Sequence, residues 1–261
     1  MKTTIYKAVF SPTGGTARAA LFLSDALTCA DPEITVKELD FTQSAVRAAG
    51  CQLSSEDILI AATPVYGGQL PPVEGLFDHL KGNQTPCILM AAYGNRHYDD
   101  CLAQLKEKLS RQGFVCMAAI ACVIPHIFSD KVGANRPDAA DQVMIAEFAA
   151  SFWEKYRSEK AVSGVLKEAS VPGNPSPEQK PRKNMPKFLN SDRCVNCKLC
   201  AISCPVGAIN PETLAINPDL CINCMRCSRV CPANARSFNA DAAKNMLESK
   251  CLTPRAIEWF L

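Results

Sequence analysis

Two short runs carry the strongest chemistry in the chain: CVNCKLCAISCP, with Cys194, Cys197, Cys200 and Cys204, and CINCMRCSRVCP, with Cys221, Cys224, Cys227 and Cys231. Each is C-x2-C-x2-C-x3-C-P. Three thiolates two residues apart wrap a tight loop round one face of a cubane iron–sulfur cluster, and the fourth, on a following turn, points away from it. The proline that follows removes a backbone donor and turns the chain. Zinc is the competing metal. Zinc sites use two C-x2-C pairs or pairs with histidine, and they leave the third and fourth cysteines of each run unexplained.

A shift of 27 residues superposes all four cysteines of one run on the other, along with Asp192 on Asp219, Asn196 on Asn223 and Ala208 on Ala235. Such a repeat means two copies of one small unit packed together. Residues 188–240 resemble the two-cluster bacterial ferredoxins, in which the fourth cysteine of each run closes the other cluster. That rule assigns Cys194, Cys197, Cys200 and Cys231 to one [4Fe-4S] cluster and Cys221, Cys224, Cys227 and Cys204 to a second. The small residues of Pro205-Val206-Gly207-Ala208-Ile209 also look like that family. This region holds three acids (Asp192, Glu212, Asp219) against five bases (Arg193, Lys198, Arg226, Arg229, Arg236). Positive charge beside a cluster favours its reduced state and raises its potential.

A second constellation lies at the N-terminal end. Behind the apolar run Ile5–Phe10 stands Ser11-Pro12-Thr13-Gly14-Gly15-Thr16, with hydroxyls at i, i+2 and i+5 round two glycines, ahead of an alanine-rich helical segment. It lacks both the G-x-x-x-x-G-K-[ST] of nucleoside triphosphate loops and the G-x-G-x-x-G of dinucleotide loops. Free N–H groups at a helix start favour an anion, and a hydroxyl-rich loop without Lys or Arg suits a phosphate monoester. The stretch resembles the flavodoxin signature [TS]-x-T-G-x-T; read without that resemblance it is an ordinary capped turn. Two further loops fit the same family: Pro64-Val65-Tyr66-Gly67-Gly68 after the third strand, and Tyr93-Gly94-Asn95-Arg96-His97-Tyr98 after the fourth. The resemblance, over residues 1–158, implies FMN, with Tyr66 and Tyr93 as stacking candidates and Tyr98 as a third. Pro12 and Gly15 depart from the family pattern and predict a weaker anchor. The loop from His126 to Asp138 is expected either to reach the flavin, with His126 or Arg136 as the charged group, or simply to start the last helix at Pro137.

The elements that must position these groups follow from periodicity. Strand-length apolar runs lie at 4–10, 33–39, 57–62, 87–92 and 115–124, and helical spacing at 15–28, 70–80, 97–112 and 138–158, with a short helix at 43–50. The alternation predicts an α/β fold, a flavodoxin-like doubly wound five-stranded parallel sheet over 1–158. Residues 159–187, rich in proline, read as an extended, semi-rigid linker. Its Lys180, Arg182 and Lys183 are either solvated charge or a grip for an acidic partner. A small α+β ferredoxin-like domain with two [4Fe-4S] clusters follows at 188–240. Residues 241–261 read as a C-terminal helix whose apolar end, Ile257, Trp259, Phe260 and Leu261, docks on one of the domains.

Composition narrows the function classes. There are 28 basic and 26 acidic residues, a balance that gives no hint of nucleic-acid binding. No apolar stretch approaches the roughly 18 residues of a membrane span, and the N-terminus lacks the features of a signal peptide, so a cytoplasmic location is expected. The remaining seven cysteines, Cys29, Cys51, Cys87, Cys101, Cys116, Cys122 and Cys251, show no ligand spacing and read as small core residues. Clusters pass one electron at a time while a flavin takes one or two, so the combination predicts an electron-transfer protein linking the two regimes. The whole architecture resembles the fused flavodoxin and ferredoxin proteins of anaerobic bacteria. The expected partner is a reductase or dehydrogenase, with transfer inside one chain or across a homodimer. The alternatives are an FMN-dependent reductase of a small acceptor such as a quinone or nitro compound, and a redox-sensing module. No nicotinamide fingerprint is present, and His79, His97 and His126 have no nucleophile at a telling spacing.

Overall fold

The computed structural model describes residues 3–31, 33–179 and 185–261; Lys180, Arg182 and Lys183 lie outside them. The first half is built on five parallel strands, β1 (Thr4–Val9), β2 (Thr35–Asp40), β4 (Ile58–Pro64), β6 (Thr85–Tyr93) and β7 (Phe114–Val123). Every residue of β6 and β7, and all of β4 but Pro64, is buried. Their unbroken Ile, Leu, Val, Ala, Met and Cys content therefore reflects burial on both faces. The sheet order is β10-β7-β6-β4-β1-β2, in which the five parallel strands follow the flavodoxin-like order 2-1-3-4-5. The chain reverses direction across the sheet between β1 and β4, and loops diverge there at the carboxyl ends.

Helices cover both faces. Helix α1 (Gly15–Cys29) buries Ala19, Ala20, Leu23 and Leu27, and α4 (Ala139–Val162) buries Ile145, Phe148, Ala149, Phe152 and Tyr156, each at three- and four-residue spacing. Helix α4 starts from a capping box in which Asp138 and Asp141 exchange side-chain-to-backbone bonds. The shorter α2 (Ser44–Ala49) and α3 (Cys101–Ser110) cover the opposite face, where Leu102, Leu105 and Leu109 are buried. The helix expected over 70–80 does not form. Pro71 and Pro72 lack donors and Gly75 takes φ 70°, so residues 74–79 make turns. Val73, Leu76, Phe77 and Leu80 still reach the core from them. The apolar period was right and the backbone was not. Leu80–Lys81 (β5) instead pairs with Cys51–Gln52 (β3).

The C-terminal segment is helical only in part. Helix α7 (Asp241–Lys250) ends before Pro254, and Glu258–Phe260 forms β10, antiparallel to β7. The apolar end thus docks on the first domain, as a sixth strand that covers the sheet edge left open by β7. The cysteine-bearing half is small: strands β8 (Lys187–Leu189) and β9 (Arg236–Phe238) pair antiparallel, with one-turn helices α5 (Leu199–Ile202) and α6 (Arg226–Arg229). No helix among the described residues is long and apolar enough to cross a membrane.

The proline-rich segment is extended, and its described part is a strap laid on the first domain. The Ala169 N–H donates to Cys116 O at 2.8 Å, Lys106 Nζ donates to Ala169 O at 2.8 Å, and Asn174 N–H donates to Asp100 Oδ1 at 2.9 Å. Gly173 sits at φ 110°, where a Cβ would stand 2.9 Å from both Asp99 O and Asp100 Cα. Gly173→Ala therefore should lift the strap, with a loss of about 1–3 kcal/mol in denaturant unfolding and earlier proteolytic cleavage within 165–179.

Candidate functional site

The 27-residue repeat is reproduced in backbone geometry. Asn196 and Asn223 lie at φ 52° and 57°, Lys198 and Met225 at φ 60° and 58°, and Gly207 and Asn234 at φ 63° and 46°. These left-handed positions wind each loop so that successive thiols turn to one side; asparagine and glycine adopt them at the lowest cost. The fourth thiol of each run accepts a backbone N–H four residues on, Ala208 N to Cys204 Sγ at 3.3 Å and Ala235 N to Cys231 Sγ at 3.2 Å.

The structure brings the thiols together in crossed sets. One small void is walled by Cys194, Cys197, Cys200 and Cys231, the other by Cys204, Cys221, Cys224 and Cys227. Among the described residues no three thiol, imidazole or carboxylate groups converge on one point as a single bare ion requires. Thiols round a space fit a multi-atom cluster better than zinc. Arg236, buried between the two sets, donates from Nη2 to Leu214 O at 2.6 Å and approaches Cys200 Sγ at 3.5 Å.

At the carboxyl ends of the parallel strands lies a cavity of 630 Å³, within the range of small-molecule sites. Ser11, Pro12, Thr13 and Thr16 line it, as do Pro64, Val65, Tyr66, Gly67 and Gly94. Gly14 takes φ 91° at the start of α1, and a Cβ on Gly15 would stand 3.0 Å from Ile124 Cδ1. Among the described residues the N–H groups of Thr13, Gly15 and Thr16 have no acceptor, as expected where a helix begins. They and the nearby hydroxyls form an anion cradle. The loop is held in shape from below: Ser11 N–H donates to Thr42 Oγ1 at 2.9 Å, and Ala17 N–H to Ser11 Oγ at 2.9 Å. Arg18 is turned away, donating to Arg136 O and Pro137 O.

Four of the expected contacts at the fourth-strand loop, Tyr93, Asn95, Arg96 and Tyr98, are replaced by another role. Tyr93 and Tyr98 are 2% and 1% exposed, stacked edge to face at 5.6 Å, and line no cavity. The Tyr98 hydroxyl donates to Glu258 of β10 at 2.7 Å. Asn95 donates from Nδ2 to Cys251 O and Thr253 O and accepts from Arg255 N–H at 2.9 Å, while Arg96 pairs with Asp99. The C-terminal segment packs here, so these residues clamp it instead of facing a ligand. Gly68 likewise serves packing, since a Cβ there would strike Asp99. Arg136 is spent on Asp141 and Arg255 O and also lies off the cavity.

Tyr66 alone of the three tyrosines lines the cavity, and burial, then the nearby Cys224 and Cys221 thiols, hold its phenol well above the ordinary range. Ile124, Phe128, Gln69 and Leu70 add apolar and amide surface. The remaining wall comes from the other half of the molecule: Ile222, Asn223 and Cys224. Cys224 thus belongs both to the cavity and to a thiol-walled void. Ile222 and Cys224 pack in the same apolar cluster as Phe10 and Leu59 of the first domain. Local pattern could not have found this wall, because it joins segments some 210 residues apart. Of the seven cysteines without ligand spacing, Cys87, Cys101, Cys116, Cys122 and Cys251 are buried, Cys51 partly so, and Cys29 is exposed.

A family match falls on the cysteine-bearing half. Residues 188–210 and 214–237 match the 4Fe-4S binding domain family. No curated protein matches the chain. Similar solved structures include flavodoxin 2 from Bacillus cereus (19% identity, 59% of this chain and 99% of that one, TM-score 0.40). An azoreductase from Bacillus anthracis str. Sterne is similar at 15% identity over 58% and 98%, TM-score 0.39. A flavodoxin from Streptococcus pneumonia TIGR4 gives 20% over 57% and 97%, TM-score 0.34. The chain fuses a flavodoxin-like fold, evident in its strand order, to a 4Fe-4S binding domain.

His126 also lines the cavity, but as a neutral group. Burial, then the charge on Arg96, push its pKa from 6.5 down to about 4, and its Nδ1 accepts from Phe128 N–H at 3.2 Å. Because the folded value lies below the unfolded one, the unfolded chain binds the extra proton first. Stability is therefore complete above about pH 6.5 and declines as pH falls toward 4. Urea unfolding of His126→Gln should show a smaller drop between pH 7 and pH 5 than the parent protein.

Proposed function

We propose that the protein transfers electrons between two [4Fe-4S] clusters and FMN within one chain, and exchanges them with a redox partner protein, a reductase or dehydrogenase. The observation that carries this reading is the shared wall: Cys224 lines the 630 Å³ cavity and one of the two thiol-walled voids. Clusters of this kind pass single electrons and FMN takes one or two, so together they join one-electron to two-electron chemistry.

The residues present suit both groups. The N–H groups of Thr13, Gly15 and Thr16 with the hydroxyls of Thr13 and Thr16 would hold the phosphate of FMN. Tyr66 offers an aromatic face for the ring, and Gly67, with open space where a Cβ would stand, leaves the backbone accessible at its edge. Ile222 lines both the cavity and the void beside it, and Ile124 and Leu70 add apolar surface elsewhere in the cavity wall. Neutral His126 and protonated Tyr66 add no charge to the cavity. Cys224 of the second set lines the cavity, while in the first set Cys197 is exposed. That exposed set is the end at which a partner meets the chain.

Two measurements test the reading. After flash photoreduction of the flavin in the loaded full chain, cluster reduction should follow at a rate independent of protein concentration. A rate proportional to concentration would place transfer between molecules and overturn it. The crossed ligand sets predict that Cys204→Ser and Cys224→Ser disable the same cluster, so that the double variant retains about half of the parent's iron, as each single variant does. Cys204→Ser combined with Cys194→Ser should lose nearly all of it.

A further inference from the structure

Two arginines, one from each half, cross the boundary in opposite directions: Arg226 reaches the anion loop and Arg47 reaches the segment after Cys204. Arg226 stands between Cys224 and Cys227, and its Nη1 donates to Pro12 O in the anion loop at 2.9 Å. Its Nε is buried without a partner among the described residues. Arg47, on α2 and only 6% exposed, donates from Nη1 to Phe41 O at 2.7 Å and Thr42 O at 3.1 Å, and from Nη2 to Pro205 O, next to Cys204. Thr42 in turn accepts the Ser11 N–H. Every hydrogen bond these guanidinium groups make among the described residues goes to a carbonyl oxygen. Asp40 already acts on Arg47, and Arg226 lines the cleft beside the cavity, against Pro12, so Arg226 is the one whose charge is placed next to an anion held by the loop.

The segments tied in this way, 204–205 and 224–227, carry three of the four thiols round one void. A cluster bound there would fix those segments, and through Arg226 and Arg47 it would fix residues 11 and 12 of the anion loop. We propose that the flavin phosphate anchor is a composite site: Arg226 supplies the positive charge the loop's own sequence lacks, Arg47 sets the loop's position, and filling of the second thiol-walled site and binding of FMN reinforce each other. This rests on the FMN and cluster reading above. Coupling of this kind is reciprocal: if the cluster tightens FMN binding, FMN must retain the cluster by the same factor.

The test uses the full chain throughout. FMN affinity is measured by quenching of flavin fluorescence in cluster-loaded and cluster-stripped protein, and cluster loss to a chelator is followed by visible absorption with and without FMN. In the parent protein, stripping should weaken FMN binding about tenfold or more, within the usual span of such couplings, and FMN should slow cluster loss. In Arg226→Gln, the loaded protein should bind FMN nearly as weakly as the stripped parent, and FMN should no longer slow cluster loss; Arg226→Lys should restore part of both effects. A purely structural role for Arg226 would change cluster loss equally with and without FMN. Arg47 is buried and its variants risk misfolding, so Arg226 carries the test. Equal FMN affinity with and without clusters, or undiminished protection in Arg226→Gln, overturns the coupling alone. Failure of the loaded parent to bind FMN at all overturns the flavin reading and the coupling with it.

Discussion

The molecule is organised by the seating of one cysteine loop, Ile222 to Cys224, on the carboxyl ends of the parallel strands. A doubly wound sheet opens a crevice where its strand order reverses, and the loops there diverge. Here that crevice lies between β1 and β4, and it is closed by the second half of the chain. Everything that distinguishes this protein from a separate flavodoxin-like domain and a separate 4Fe-4S domain depends on that contact. A thiol that belongs to a cluster-sized void becomes part of the wall of a nucleotide-sized cavity.

More than apolar contact holds this small, loop-rich unit in place. The fold answers with hydrogen bonds that engage backbone groups at three places. Arg47 and Arg226 tie the cysteine segments to the anion loop. Asn95 satisfies two carbonyls and one N–H of the segment after α7. The strap at 165–179 lies along the first domain through Ala169 and Asn174. Buried polar groups left unpaired would cost about 1–3 kcal/mol each, so these bonds specify one docking geometry among many that apolar burial alone would allow.

Much of this was legible beforehand. The strands β1, β2, β4, β6 and β7 lie where the apolar runs place them; β4, β6 and β7, buried on both faces, have little other composition open to them, while β2 is a largely exposed edge strand. The crossed thiol sets were implied by the resemblance to two-cluster ferredoxins, and the two voids gather the same cysteines. The segment at 70–80 misled for a physical reason: Val73, Leu76, Phe77 and Leu80 keep a helical period, yet two prolines and Gly75 at φ 70° forbid the helix. The end of the chain misled because an open strand edge on β7 selected an extended partner for Glu258–Phe260.

By itself, then, the sequence determined the local chemistry: two fourfold thiol sets, a hydroxyl-rich loop at a helix start, and a parallel sheet to carry it. These follow from backbone geometry and short-range spacing. Only the tertiary structure decided what faces what. Tyr93, Tyr98 and Asn95 went to the C-terminal segment while Tyr66 stayed with the cavity, and Arg47, in a helix without any motif, came to touch Pro205. Such pairings join residues more than 100 positions apart, and what selects them is the total burial and hydrogen bonding of the assembled halves, a quantity no local pattern encodes.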